Sequence, residues 1–185
     1  AVSDMGPGTA TAMVSIAADV LQLPAAKISF LLGDTEFPPG PTQGGSTTTS
    51  TMGTAVSLVC EMLKTQLIEI ARQQSPLFSG LSADDLACSN GKVYAKTDIS
   101  KNMGFAELVK ASGKPQIEIL KESGPDPAVR SKYAMNSFSA HFVKVAIDPA
   151  TGAIELKKVV CTGDGGKIVS PKTARSQMIG GAVGG

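Results

Sequence analysis

The chain has 185 residues, 42% hydrophobic but only 4% aromatic, so a core can form and must be built from aliphatic side chains and Met. A net charge of +1 excludes binding to nucleic acid or a membrane surface driven by general electrostatics. Three scattered cysteines (Cys60, Cys88, Cys161), no C-x-x-C pair and a single histidine, His141, argue against a disulfide framework or a zinc site.

In chain order, residues 1–8 are polar and contain glycine. Met13, Ile16, Ala17, Val20 and Leu21 then recur at helical steps, and Pro24 ends that helix. Ile28–Leu32 reads as a short buried strand, 34–41 as a proline-rich loop and 43–51 as a Gly/Ser/Thr tract. A second helix is expected from about Gly53, with Val56, Val59, Leu63, Leu67 and Ile70 on one face and Ser75-Pro76 as its stop. Residues 76–125 read as a satellite subregion. Within it Asn90-Gly91 turns a hairpin, Phe105–Ala111 forms a short helix and Ile117–Leu120 forms a strand.

The clearest hairpin pairs Ser139–Ile147 with Ile154–Cys161 through Asp148–Gly152. A loop is expected over 162–166, and Pro171 suits the first turn of a final helix. Strands and helices mix without β-α-β alternation, so the fold class reads as α+β, a layered arrangement of sheets or hairpins packed with helices. Residues 1–185 read as one domain. The three thiols read as small core residues in a reducing compartment, cytoplasmic or alternatively periplasmic, and no apolar run spans a bilayer. The abrupt ends at Ala1 and Gly185 read as those of a piece of a longer chain.

Three stretches can carry chemistry. Gly6, Pro7 and Gly8 precede a helix whose first N–H groups suit an anion, although an ordinary cap and turn outweighs that reading on spacing alone. Residues 43–51, from Gln43 through Gly44, Gly45, Ser46, Thr47 and Thr48 to Thr51, also precede a helix; seven of the nine offer side-chain donors or acceptors, and there a phosphate cradle and a flexible capping segment weigh equally. Thr173 and Gln177 lie on the last helix, where a Gln among small residues can hydrogen-bond a bound group; a solvated face with close helix packing is the favoured alternative. No Walker ending follows either glycine stretch, which excludes a conventional ATP loop. His141 reads as a satisfied strand histidine, and Asp84-Asp85 as a surface turn or helix start.

In order and spacing these stretches resemble the molybdopterin-binding large subunit of the xanthine dehydrogenase and aldehyde oxidase family. The likeness runs through Asp4-Met5-Gly6-Pro7-Gly8, Leu32-Gly33-Asp34-Thr35, Gly44-Gly45-Ser46, Gly163–Pro171 and Ala174–Gly181. It implies a pterin holding molybdenum, in the cytosine dinucleotide form, cradled by Gly6, Pro7, Gly8, Gly44, Gly45, Ser46, Thr47, Thr48, Thr173 and Gln177. It implies oxidation of an aldehyde or N-heterocycle using water, with electrons leaving to Fe-S and FAD subunits or domains. Many relatives carry glutamine where this chain has Pro7, which supplies no side-chain donor and no N–H. The family's catalytic glutamate falls beyond Gly185, so the chain alone is expected to be inactive. A non-catalytic binding module that kept the fold is the alternative.

Overall fold

The structure, a computed structural model, describes residues 2–124 and 127–184; Ala1, Pro125 and Gly185, which bound some of the readings above, lie outside the described residues. Two compact units divide the chain, residues 1–124 and 125–185.

The first unit begins with helix α1 (Thr9–Leu21) and the long helix α2 (Thr48–Gln74). They run in parallel. Met13 and Ile16 of α1 reach Gly53 of α2, while Ala17 and Leu21 pack on Cys60 one and a half to two turns further along. Gly53 permits this crossing, since a Cβ there would sit 2.7 Å from Ile16 Cδ1. Helix α2 therefore starts at Thr48, five residues before the expected Gly53, and the second half of the hydroxyl tract is helical. The Thr and Ser side chains tolerate this because they bond back: Ser50 Oγ donates to the Thr47 carbonyl (2.8 Å) and Thr54 Oγ1 to that of Ser50 (2.7 Å).

Strands β1 (Leu86–Ser89), β2 (Lys92–Ala95) and β3 (Asp98–Gly104) form an antiparallel sheet in that order, followed by helix α3 (Phe105–Ala111). Asn90 (φ 50°) and Gly91 (φ 73°) make the expected turn. The Asn90 N–H donates to the Gln22 carbonyl at 3.0 Å, tying the turn to the end of α1. Leu67, Ala71, Phe78, Leu86, Val93 and Leu108 bury the core between α2, the sheet and α3.

Two expected strands are absent. Ile28–Leu32 and Ile117–Leu120 have no ladder partners, and Ile28 and Ile117 instead pack on the two core clusters. An apolar run becomes a strand only where a neighbour takes its N–H and C=O groups. Strand β3 carries no apolar alternation to mark it, since Asp98, Ser100 and Lys101 are exposed beside an exposed Ile99.

The second unit holds helix α4 (Pro127–Lys132), strands β4 (Phe138–Ile147) and β5 (Ile154–Asp164), and helix α5 (Pro171–Gly184). The two strands pair antiparallel from Phe138↔Asp164 to Ile147↔Ile154, with a bulge at Lys144/Val145. Residues 162–164, expected in a loop, thus extend the strand. Asp148 builds the turn by accepting from the N–H groups of Ala150 (2.8 Å) and Thr151 (3.0 Å), and these bonds hold its carboxyl below the usual range. Helix α5 approaches β5 at Gly163, where a Cβ would lie 2.7 Å from Met178 Cε. Gly180 and Gly181, the small residues expected to permit close packing, face open space.

Burial separates the three thiols. Cys60 and Cys88 are buried in the first unit, as expected for core residues, and burial pushes the Cys88 thiol up to about 11 and the Cys60 thiol in the same direction. Cys161 is only half-buried and is no core residue, because its strand lies on an open hairpin where it faces His141. Alkylation at pH 8 is expected to modify Cys161 first and to reach Cys60 and Cys88 only after unfolding, which peptide mass mapping reads directly. Since a raised thiol pKa favours the folded protein only while protonated, stability should decline as pH rises from the ordinary thiol value towards that of Cys88.

Candidate functional site

Parallel packing places the starts of α1 and α2 at the same end of the first unit, so two helix N-termini, each carrying partial positive charge, lie on one side. The glycine stretches are the loops that enter them. Gly8 (φ 84°) caps α1, and Gly6 has φ 116°; both conformations favour glycine. Gly45 (φ 58°) and Ser46 (φ 57°) turn the chain in succession before Thr47, the cap of α2. A Cβ at Gly6 or Gly44 would meet nothing within 4 Å, so at these positions the backbone is open to an incoming group.

The donors at the two helix starts are used differently. At α1 the carboxylate of Asp4 accepts from the N–H of Gly6 through Oδ1 and from the N–H of Thr9 through Oδ2, both at 2.8 Å. An internal carboxylate thus takes the position an external anion would occupy, and Pro7 between the glycines has no N–H to add. At α2 the hydroxyls turn inward: Thr47 Oγ1 donates to the Gly44 carbonyl (3.1 Å) and Thr48 Oγ1 to Gln43 Oε1 (3.0 Å). The first-turn N–H groups of α2 have no intrahelical acceptor and supply the outward donors.

Gly6, Pro7 and Gly8 are therefore brought together with Gly44, Gly45, Ser46, Thr47 and Thr48 at one end of one helix pair, with Gln43 joining the loops: its Nε2 donates to the Ser3 carbonyl. Asp4 and Gln43 head the two stretches that the sequence marks as candidates; their partners across the loops are what the structure adds.

Thr173 and Gln177 lie in the second unit, one turn apart on α5. Thr173 Oγ1 donates to the Ser170 carbonyl at 3.2 Å and helps start the helix. Gln177 is exposed and, with Ser139, His141, Val143, Leu156 and Met178, lines an open groove of about 640 Å³ between α5 and the hairpin. His141 Nδ1 stands 3.1 Å from Cys161 Sγ across the strand pair, a partner within the strand pair itself. Among the described residues no three His, Cys, Asp or Glu side chains converge as metal ligands, and no helix is long and apolar enough to cross a membrane.

The chain is similar to several known proteins. The aldehyde oxidoreductase molybdenum-binding subunit PaoC of Escherichia coli is 27% identical over 179 residues, 97% of this chain and 22% of that protein. The 6-hydroxypseudooxynicotine dehydrogenase complex subunit gamma of Paenarthrobacter nicotinovorans is 26% identical over 98% of this chain and 23% of its own length. The crystal structure of a Cu,Mo-CO dehydrogenase in its carbon monoxide reduced state superimposes with a TM-score of 0.80 at 25% identity, covering 97% of this chain and 22% of that one. The chain spans roughly a fifth to a quarter of the length of these relatives. Across all of residues 1–185 it matches the family described as the molybdopterin cofactor-binding domain, and it belongs to that family.

Proposed function

We propose that residues 1–185 form one cofactor-binding domain of a molybdenum hydroxylase, holding molybdopterin in its cytosine dinucleotide form. The observation that carries this reading is the pair of parallel helices whose glycine-rich entries open on the same side, joined by Gln43. The residues present fit the group: open backbone at Gly6 and Gly44, and the positive start of α2 for its phosphates.

In this reading the start of α2, with Gly44, Gly45, Ser46, Thr47 and Thr48, binds the negative diphosphate. Gly6, Pro7 and Gly8, where Asp4 already fills the anion position, face a neutral part of the ligand. In the second unit Thr173 helps start α5 by donating to the Ser170 carbonyl, and Gln177 stands one turn further along the same helix. When bound, the cofactor supplies the redox chemistry by which an aldehyde or N-heterocycle is oxidised with oxygen from water. In this reading the residues of this chain orient the cofactor. Electrons pass to Fe-S and FAD partners, and the compartment is the cytoplasm.

The test is chemical analysis of the natural holoprotein, with equimolar molybdenum, pterin and acid-released cytidine expected. Pterin and molybdenum without cytidine would reject the dinucleotide form, and the absence of both would reject the reading. Pro7 favours a second reading, a binding module without catalysis, which predicts cofactor retention with no turnover of any aldehyde or heterocycle.

A further inference from the structure

The packing of α1 on α2 aligns two helices, but it does not align the loops that enter them. The contact at Gly53 lies five residues inside α2, about 7.5 Å beyond Thr48 at the helical rise, and Met13 and Ile16 lie similarly inside α1. Something else must register the two glycine-rich stretches. Gln43 has the chemistry for it, since a carboxamide carries a donor and an acceptor on one rigid plane. Its Nε2 donates to the carbonyl of Ser3, forty residues away in sequence, and its Oε1 accepts from Thr48 Oγ1 at 3.0 Å. Thr48 is buried at 8% exposure, where a hydroxyl without a partner is costly, so this end of the link is held firmly. The residue after Ser3 is Asp4, whose two oxygens take the N–H groups of Gly6 and Thr9 at 2.8 Å. A continuous path of hydrogen bonds thus runs from the first turn of α2 through one side chain to the first turn of α1.

We propose that Gln43 is a positioning residue that, with Asp4, clasps the two glycine-rich stretches into one preformed cradle for a single ligand that touches both. This rests on the cofactor reading above and adds the device that shapes the site. A clasp between loops acts mainly on binding. The helices remain packed without it, while the loops must then be ordered at the moment the ligand arrives, and that entropy weakens affinity. Thr48→Val removes the hydroxyl at nearly constant volume and opens the clasp on one side; Gln43→Glu keeps the acceptor for Thr48 and loses the donor to Ser3; Gln43→Ala opens both sides.

The experiment uses the 185-residue chain with cytidine diphosphate as probe, because it carries the diphosphate and base that the cofactor reading assigns. In the ligand-free chain, amide hydrogen exchange at Gly6 and Thr9 is expected to speed up ~10-fold in Gln43→Ala, with the melting temperature lowered by only about 2–4 °C by the unpaired Thr48 hydroxyl. Affinity for the probe is expected to fall ~10-fold in Gln43→Ala, Gln43→Glu and Thr48→Val. Thr48→Ser should bind like the parent, and the Gln43→Ala/Thr48→Val double variant should bind no worse than Gln43→Ala alone, since both changes break one link. Unchanged exchange at Gly6 and Thr9 in Gln43→Ala would overturn the proposal, as would additive losses in the double variant. An exchange response in a parent chain that ignores the probe would sink the cofactor reading while supporting the registration of the two loops.

Discussion

Replacing Phe78 by Ala is expected to destabilise the first unit by about 3–5 kcal/mol, enough to unfold much of it at physiological temperature. Phe78 stands at the end of the 3₁₀ turn Pro76–Phe78 that follows α2, and only 1% of its surface is exposed. Its ring packs in the cluster of Leu67, Ala71, Leu86 and Leu108, so it joins the end of the long helix to the sheet and α3. Relaxation of the surrounding side chains recovers only part of the volume that the ring leaves. Leu77, one residue earlier and 51% exposed, is the control: Leu77→Ala should change stability by no more than about 0.5 kcal/mol. Urea unfolding followed by far-ultraviolet circular dichroism checks both. A loss below about 1 kcal/mol for Phe78→Ala would contradict the packing described.

The second large effect separates binding from stability. Ser46→Asp places a carboxylate at the entry to α2, at a position with φ 57° that Asp tolerates better than most residues. A negative side chain near a helix N-terminus stabilises the fold by about 0.3–1 kcal/mol, so the melting temperature should hold or rise slightly. The same charge repels a diphosphate from the same end. Losing one charge-assisted contact and gaining one repulsion should lower affinity for the diphosphate ligand at least ~100-fold. Ser46→Ala, which adds no charge, should cost ~10-fold or less. Pterin and molybdenum content per protein, measured beside the melting curve, reads both quantities. Full cofactor occupancy in Ser46→Asp would remove the start of α2 from the site.

What the sequence carried follows from periodicity and local turn chemistry. Three- and four-residue spacing located α1 and α2, Pro24 and Ser75-Pro76 marked where they stop, and Asn90-Gly91 and Asp148–Gly152 marked the turns of two hairpins. These signals are local, because a helix satisfies its own backbone and a tight turn depends on a few adjacent residues. Where the signal needed a distant partner, it failed. Ile28–Leu32 and Ile117–Leu120 have the composition of strands and no strand beside them, whereas polar β3 joins a sheet because β2 offers it an edge. The ordered stretches Gly6–Gly8, Gly44–Thr48 and Thr173–Gln177 pointed to the molybdopterin family through their resemblance alone, and the match along residues 1–185 bears out that family.

Tertiary structure decided what those stretches do to one another. Parallel packing through Gly53 brings two helix starts to one side, and no spacing in the chain encodes that direction. Asp4 closes on the N–H groups of Gly6 and Thr9, and Gln43 reaches Ser3 across forty residues. Gly163, in a segment that reads as loop, proves to be where α5 approaches the hairpin, while Gly180 and Gly181 face open space. The physical reason is the same in each case. A glycine or a carboxamide is read in sequence only as permission to turn or to hydrogen-bond, and the folded chain alone supplies the side chain or carbonyl on which that permission is used.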